Sequence, residues 1–203
     1  MLNFNDTIIL ENERAALRPI TLADSVYLLP FASNEPEIWA FSLVSPAGEK
    51  NMATYITNAV NNRAAHKDYS FIVYDKLHYA YAGSTRFYNI DVAAKSLMLG
   101  YTWYGKAYQR TGLNRHCKFL LLQYCFESLL VERVEFRADA NNHKSIAAMV
   151  AIGCVKEGLL RSDSVKADGK RRDSVVLSIL KTEWEQTVKV NLINMLSAST
   201  KGY

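Results

Sequence analysis

The most informative segment of this chain is Trp103-Tyr-Gly-Lys-Ala-Tyr-Gln-Arg-Thr-Gly-Leu-Asn114. It joins residues 97–104, which have strand character, to the strongly apolar residues 112–130, which predict a largely buried helix. A glycine between strand and helix lets the backbone turn its N–H groups toward one point, where the helix N-terminus adds partial positive charge. This pattern predicts a cradle for a pyrophosphate, with an ion pair from Arg110. A plain strand–helix connection is the alternative, and the lack of G-x-G-x-x-G or Walker spacing argues against dinucleotide and nucleoside triphosphate binding.

Strand and helix patterns alternate on both sides of this stretch, without an internal repeat or a linker. Asp168-Gly169 predicts a hairpin turn near the C-terminus. The chain therefore fits the α/β (α+β) class, as a single domain over residues 1–203 with a mixed sheet of about seven strands. The predicted strands cover 14–20, 68–75, 80–90, 97–104, 133–140, 159–166 and 173–180; the predicted helices run from a cap at 21–24 to about 33, and cover 52–65, 112–130, 144–152 and 182–197.

The composition excludes several classes of protein. With 203 residues, 49% of them hydrophobic and 22% charged, the chain can form a core without metal or disulfides and is neither disordered nor collagen-like. Its 24 Lys and Arg exceed its 20 Asp and Glu by four, which permits an anionic ligand but makes nucleic-acid binding improbable. The four histidines lack the spacing of metal ligands, so we expect no metal site.

The cysteines and the apolar runs predict a cytoplasmic protein. Cys117, Cys125 and Cys154 are an odd number without CxxC spacing, which favours buried thiols in a reducing compartment. The first residues do not have the order of a signal peptide, and no apolar run approaches the length of a membrane span. We therefore expect a cytoplasmic location and no membrane contact.

A second informative segment, Asn142-His-Lys-Ser145, follows the predicted strand 133–140. Its spacing predicts that Asn142 caps the next helix by accepting from the N–H of Ser145, and Gly153 is typical of the end of that helix. The simplest interpretation is a helix cap and nothing more. A functional interpretation places both residues beside a gap in the sheet where an extended ligand could lie.

Taken together, these segments resemble the GNAT acetyltransferase superfamily, and two flanking segments are similar to its Rim-type branch of ribosomal-protein N-terminal acetyltransferases. The resemblance covers residues 14–185. It implies the GNAT fold: a mixed, mostly antiparallel twisted sheet with a central, splayed parallel pair, flanked by helices. The segments are Leu17–Asp24, Gln109-x-x-Gly112, Asn142-x-x-Ser145, Gly153 and Arg172–Trp184.

The resemblance also implies acetyl-CoA as co-substrate, lying between the diverging strands 97–104 and 133–140. The pyrophosphate is expected on the amides of residues 109–114, the pantetheine arm beside residues 101–103, and the thioester end between Asn142 and Ser145. The residues implied to bind acetyl-CoA are Tyr101, Thr102, Trp103, Gln109, Arg110, Thr111, Gly112, Leu113, Asn114, Asn142 and Ser145.

Acetyl transfer to an amine needs a neutral amine, a stabilised oxyanion and a protonated or solvated thiolate. The oxyanion is expected at the backbone N–H of Tyr101 or Thr102. Many relatives have an acid where this chain has Met98 and a tyrosine where it has Met149. The branch resemblance implies that Ser145 donates the proton to the thiol.

The base and the acceptor are left open by the sequence. Asp163, Glu157 or a chain of ordered water could serve as the base. A protein N-terminal amine is favoured by the branch resemblance, with a polyamine, amino acid or antibiotic amine as the alternative, chosen by residues 22–65 and 160–175. A non-catalytic acyl-CoA-binding module is a second interpretation, supported by Met98 and Met149, and an RNA-binding protein is a weak third. The basic hairpin tip Lys170–Arg172 is expected to be a solvated turn and has no assigned partner. The sequence does not decide between a monomer and a homodimer.

Overall fold

A computed structural model describes residues 2–199 of the chain, whose centre is an eight-stranded sheet. The order of the strands is β1-β2-β3-β4-β5-β6-β8-β7, so the last two strands exchange places along the sheet. The strands are β1 Leu10–Glu11, β2 Ala15–Pro19, β3 Tyr69–Asp75, β4 Ala80–Asp91, β5 Ser96–Tyr104, β6 Arg133–Asp139, β7 Val155–Val165 and β8 Arg171–Leu180.

Among these eight strands only β5 and β6 are parallel, and their pairing is short. Three residue pairs join them, the last being Met98 with Glu135, and all other neighbouring strands of the described sheet are antiparallel. Beyond this last pair the two strands, both fully described, have no ladder between them. We call the gap between residues 99–104 of β5 and 136–139 of β6 the wedge.

Helices cover the two faces of the sheet. On one face α3 (Leu113–Gln123) and the C-terminal helix α6 (Lys189–Ser199) pack against each other, and α3 also contacts β1 and β2. Leu121 and Leu192 belong to one large apolar cluster that also contains residues of β5, β6 and β8. On the other face α1 and α2 enclose a smaller apolar cluster with Trp103 of β5. No helix within residues 2–199 has the length and apolar character that crossing a bilayer requires. The helices are α1 Ser25–Asn34, α2 Glu49–Ala64, α3 Leu113–Gln123, α4 His143–Ala151, α5 Lys181–Glu183 and α6 Lys189–Ser199.

This architecture confirms the predicted mixed sheet with one parallel pair and corrects its details. The eighth strand is β1, whose two residues are too short to give a periodic signal. The strand predicted from 159 begins at Val155, two residues after Gly153, and Val155 pairs with Ser178. The predicted helices 112–130 and 182–197 each contain a π-helical turn, at Tyr124–Ser128 and Trp184–Val188.

Strand β7 forms one edge of the sheet and is exposed along almost its whole length. Its pairing with β8 shifts register twice, between Lys156 and Gly158 and between Leu160 and Ser164. Ser162 within the second irregularity has a left-handed φ of 52°. The hairpin turn predicted at Asp168-Gly169 is confirmed, with Gly169 at φ 81°.

Candidate active site

The open end of the wedge is flanked by the starts of two helices. β5 continues through residues 105–112 into α3, and β6 continues through residues 140–142 into α4. Because β5 and β6 are parallel, both helix N-termini come to the same end of the sheet. The first N–H groups of a helix have no backbone acceptors within that helix, so a ligand leaving the wedge meets two helix N-termini. Two of these groups already have side-chain acceptors, since the Ser145 N–H donates to Asn142 and the Leu113 N–H donates to Thr111.

Side chains fix the loop that precedes α3. The Gln109 amide donates to the Tyr104 carbonyl at 2.9 Å, and the Thr111 hydroxyl donates to the Tyr108 carbonyl at 2.9 Å. From β2's N-terminal side, the Arg14 guanidinium donates to the Thr111 carbonyl at 3.3 Å. The side chains of Gln109 and Thr111 therefore shape the loop. The Gln109 N–H itself donates to the Lys106 carbonyl at 3.1 Å, so the groups that the loop can offer to a ligand are the backbone amides that follow Gln109.

The loop has the conformation that a phosphate cradle needs. Gly112 caps α3 in the left-handed region at φ 87°, and a Cβ built there meets no atom of the described chain within 4 Å. Arg110, also left-handed at φ 61°, is exposed. Asn114 in the first turn of α3 has a buried Oδ1 without a hydrogen-bond partner in the described chain. Free amides, a nearby guanidinium and open space above Gly112 fit the pyrophosphate end of acetyl-CoA.

A β-bulge interrupts β5 inside the wedge. Ser84 pairs with Trp103 and Arg86 pairs with Gly100, so Tyr101 and Thr102 together oppose Thr85. Tyr101 is left-handed at φ 50°. A bulge leaves an extra residue outside the ladder and re-aims its backbone groups. This geometry supports the prediction that an N–H of Tyr101 or Thr102 faces the reacting carbonyl, which stays a prediction.

The side chain of Trp103 lies away from the wedge. Its indole is 6% exposed and packs edge-on against Trp39 at 5.0 Å and Phe31 at 5.7 Å between ring centroids. Trp103 can therefore meet the pantetheine arm only through its backbone, while its ring joins β5 to α1 and the loop that follows it. Leu113, fully buried, likewise offers only its backbone to a ligand.

The start of α4 has the predicted cap. Asn142 Oδ1 accepts from the Ser145 N–H at 3.1 Å, and Asp139 at the end of β6 accepts from the Asn141 N–H at 2.9 Å. Both bonds fix the turn that leads from the wedge into the helix. Ser145 is partly exposed in the first turn of α4, and its role as proton donor stays a prediction.

Sequence reasoning missed Lys118, a buried lysine of α3 at the floor of the wedge. Lys118 is 5% exposed, and its Nζ donates to Thr102 Oγ1 at 2.9 Å. The Thr102 hydroxyl is also 2.8 Å from the Thr85 hydroxyl of β4. Burial lowers the pKa of Lys118 to about 8. The only available signal was a lysine among the apolar residues of a helix expected to be buried, where charged side chains are rare.

The opposite face of the bulge carries an aromatic cluster of Tyr55, Tyr88 and Tyr101 around Arg86. The Arg86 guanidinium carbon lies 4.5 Å from the ring centroid of Tyr101 and 5.5 Å from that of Tyr55. Tyr88 and Tyr101 pack edge-on at 5.0 Å, and burial, with a smaller effect of Tyr101, raises the pKa of Tyr88 to about 12. Tyr88 therefore remains a neutral hydrogen-bonding group at physiological pH.

The two carboxylates named as alternatives for a base, Glu157 and Asp163, have different surroundings. Glu157 accepts from both terminal nitrogens of Arg133 at 2.6 Å and from the Ser178 hydroxyl at 2.8 Å. The Arg133 hydrogen bond chiefly lowers the pKa of Glu157 to about 2, which makes it a poor base at neutral pH. Asp163 lies 3.6 Å from Arg137 Nη1.

Another carboxylate, which the sequence did not single out, is Glu135, beside Met98 in the last parallel pair. It accepts from Arg133 at 3.0 Å and from Arg137 at 2.9 Å. It lies at the start of the wedge, which makes it a further carboxylate beside the gap between β5 and β6.

The basic hairpin tip needs a correction, since Arg172 is not a solvated turn residue. It is 7% exposed, and its Nε donates to the Ser174 hydroxyl at 2.9 Å. Its charge, with that of Arg137, acts to lower the pKa of Tyr88 against the larger effect of burial. The reason is its place in β8, just beyond the end of the β6 ladder, where it faces the aromatic cluster. Lys170 and Arg171 remain exposed.

Two segments expected to select the acceptor meet each other. The Ala167 N–H of the β7–β8 turn donates to the Ser42 carbonyl between α1 and α2 at 3.4 Å. This contact links residues 160–175 to residues 22–65 on the side of the sheet that carries the aromatic cluster. Within residues 2–199, no group of three or more His, Cys, Asp and Glu side chains is arranged to hold a metal ion.

Comparisons with known proteins agree with this geometry. The family described as acetyltransferase (GNAT) domain matches residues 14–155. Bacillus subtilis YdaF, named as a ribosomal N-acetyltransferase, is 34% identical over 103 residues, which are 51% of this chain and 55% of that protein. The chain thus spans just over half the length of YdaF. An uncharacterised N-acetyltransferase, p20 of Bacillus licheniformis, is 28% identical over 86% of this chain and 97% of its own.

A solved structure from T. thermophilus, assigned as an acetyltransferase, superposes with a TM-score of 0.85 at 29% identity. It covers 97% of this chain and 100% of its own. The match extends over the sheet, the wedge and both flanking helices, and the family match alone exceeds half of the chain. The chain belongs to the GNAT acetyltransferase family.

Proposed function

We propose that this protein transfers the acetyl group of acetyl-CoA to the N-terminal amine of a protein, by direct transfer in a ternary complex in the cytoplasm. The observation that carries the chemistry is the wedge, where a β5 bulge and two helix N-termini converge beyond the last β5–β6 pair. These groups are the donors that a thioester and its pyrophosphate require. The three cysteines are free and buried, which agrees with a reducing compartment.

In this proposal the chain's own groups hold the donor and orient the amine. The amides of residues 109–114 hold the pyrophosphate, the bulge at Tyr101 and Thr102 presents an N–H to the carbonyl oxygen, and Ser145 carries a proton to the thiol. Acetyl-CoA supplies an activated acetyl group, so much of the rate is available from orientation alone. The base is left to a water chain or a carboxylate near the wedge.

The N-terminal amine is favoured over other acceptors by the relative YdaF, whose name assigns it a ribosomal substrate. A small amine is the second candidate, and one observation favours it. The bond between Ala167 and Ser42 joins the two segments expected to select the acceptor. The buried cation Arg172 beside the aromatic cluster, which donates to the Ser174 hydroxyl, would suit an acceptor that also bears a carboxylate, whereas Arg86 is already paired with Asp68 at 3.1 Å.

An acceptor screen that reads the release of CoA thiol tests the proposal. Peptides with Ser or Ala at the N-terminus are compared with the same peptides carrying a blocked N-terminus, with spermidine and with free amino acids. We expect turnover with the free peptides and none with the blocked ones. Turnover confined to amino acids or polyamines would replace the protein acceptor by a small one, and acetyl-CoA binding without turnover on any amine would favour a non-catalytic binding module.

A further inference from the structure

Lys118 is a buried positive charge for which residues 2–199 provide no negative partner. Its Nζ has one hydrogen bond, to Thr102 Oγ1 at 2.9 Å, and no carboxylate among those residues lies within 4 Å. An ammonium group has three donors, so two are not used by the described chain. Burying a charge without a counter-ion is costly, and such groups are usually paired.

The position of Nζ places this charge between the separating strands. Thr102 lies on β5 four residues beyond the last parallel pair, and Phe136 lies on β6 one residue beyond it. Nζ is 2.9 Å from the Thr102 hydroxyl and 5.7 Å from the ring centroid of Phe136. The ammonium therefore lies at the floor of the wedge, in contact with the bulge whose N–H groups are predicted to face the carbonyl.

The neighbouring titratable groups do not neutralise this charge. Those that act on Lys118 are Cys117 and Cys125 of α3 and its π turn, and Cys154 after α4. Burial holds the pKa of each of these thiols well above its usual range, Cys117 and Cys154 to about 12, so all three are neutral near pH 7. The negative charge that would match the ammonium must therefore arrive with a ligand or be created by the reaction.

Acetyl transfer creates such a charge on the sulfur of the thioester. The amine nitrogen bonds to the thioester carbon, the C–S bond breaks with its electron pair going to sulfur, and the nitrogen loses one proton to the base. The sulfur leaves as a thiolate and finally takes up one proton, giving an acetamide and the CoA thiol. A fixed ammonium in a water-poor site favours the thiolate, because preorganised charge costs no reorganisation when the bond breaks.

We propose that the Lys118 ammonium is a catalytic group of this acetyltransferase, which stabilises the departing CoA thiolate in the wedge. The inference rests on the proposed transfer chemistry but not on the identity of the acceptor. Thr102 acts as a positioning residue, because its hydroxyl holds Nζ in the wedge. Ser145 is then left to deliver the proton, while Lys118 supplies charge.

The test uses Lys118→Met, which keeps the length of the side chain and removes the charge, with Lys67→Met on the exposed surface as the matched control. If Lys118 only stabilised the fold, Lys118→Met would melt at a lower temperature than the wild type. Our proposal instead predicts that Lys118→Met melts at the same or a higher temperature, since replacing a buried charge by an apolar side chain is often neutral or stabilising. Its kcat is expected to fall by roughly 10- to 100-fold, and Lys67→Met is expected to match the wild type.

A measurement without any acceptor separates this inference from the proposed function. The pKa of the bound CoA thiol is read from the ultraviolet absorbance of its thiolate. We expect it to lie about one to three pH units below that of free CoA in the wild type, as for a group with an opposite charge nearby, and to return toward the free value in Lys118→Met. An unperturbed thiol pKa in the wild type would overturn the proposal even if the variant failed to fold. A normal kcat in folded Lys118→Met would overturn it as well.

Discussion

At the scale of single residues, the family resemblance assigns Ser145 the role of proton donor, which the geometry alone does not assign. Its backbone N–H is used by the Asn142 cap, so the hydroxyl can be removed without loss of the helix start. Ser145→Ala is expected to lower kcat by about 100-fold, the lower end for general acid–base catalysis, with an unchanged dissociation constant for acetyl-CoA. Single-turnover kinetics and titration calorimetry measure the two quantities. Unchanged turnover would remove Ser145 from the mechanism.

Lys118 gives a second expectation at this scale, in the pH dependence of stability. Burial lowers its pKa from 10.5 to about 8 in the folded chain, so between these values the unfolded chain binds more protons than the folded one. The free energy of unfolding of the wild type therefore rises with pH in this window, relative to Lys118→Met. The stability advantage of the variant is largest below pH 8, on the order of 3 kcal/mol, and shrinks toward pH 10. Urea unfolding of both proteins at pH 7 and pH 10 measures this difference in the free energy of unfolding. A difference that stays the same at both pH values would contradict the expectation.

The turn at Gly112 and the cap at Asn142 could be predicted from the sequence because each depends on local chemistry. Gly112 lies between a strand and a helix, and Asn142 has the spacing of a helix cap. Lys118 could not be identified, because its meaning depends on Thr102 sixteen residues earlier and on the separation of two strands. The burial of Arg172 could not be predicted for the same reason, since an exposed basic turn and a buried arginine beside a turn have the same sequence pattern.

At the scale of elements, the position of β5 depends on its close approach to β4 at Gly83. A Cβ on Gly83 would lie 2.0 Å from the Trp103 carbonyl oxygen and 2.9 Å from the Tyr104 Cα, both of which are backbone atoms that cannot rotate away. Gly83→Ala is expected to destabilise the protein by roughly 2–4 kcal/mol, within the range of strained core substitutions. It should also raise the KM for acetyl-CoA, because the bulge must shift.

Ala82→Gly on the same strand is the matched comparison for Gly83→Ala, since it changes one methyl group without a backbone clash. Chemical denaturation and initial rates at low temperature separate the two effects. A Gly83→Ala protein with wild-type stability and KM would show that β5 can move freely.

Most helices and strands were predicted from periodicity, but their interruptions were not. The two π turns break a repeat without a glycine or proline to mark the break, and the bulge at Tyr101 is marked in the sequence only by Gly100 before it. These irregularities arise from packing between distant elements, such as the Trp184 indole donating to Glu127 at 3.0 Å between the two π turns. Local patterns cannot contain that information.

At the scale of the whole molecule, the C-terminal helix is joined to the core although it is remote from the wedge. Leu192 is 1% exposed and packs in the same cluster as α3 and β8. Leu192→Ala is expected to cost about 2–5 kcal/mol of stability, because a buried cavity replaces the side chain. KM for acetyl-CoA should stay unchanged in the folded enzyme. The exposed Asn194→Ala is the control, and a Leu192→Ala protein as stable as the control would show that the helix is not part of the folding unit.

The two edges of the sheet have a consequence for association between copies of the chain. One edge is the two-residue β1, and the other is β7, whose two register shifts and left-handed Ser162 bend it out of line. An edge that is short or bulged cannot accept the strand of another molecule over any length. If a homodimer forms, we expect its subunits to meet through helix surfaces or side chains. We do not expect a continuous sheet that crosses from one subunit to the other.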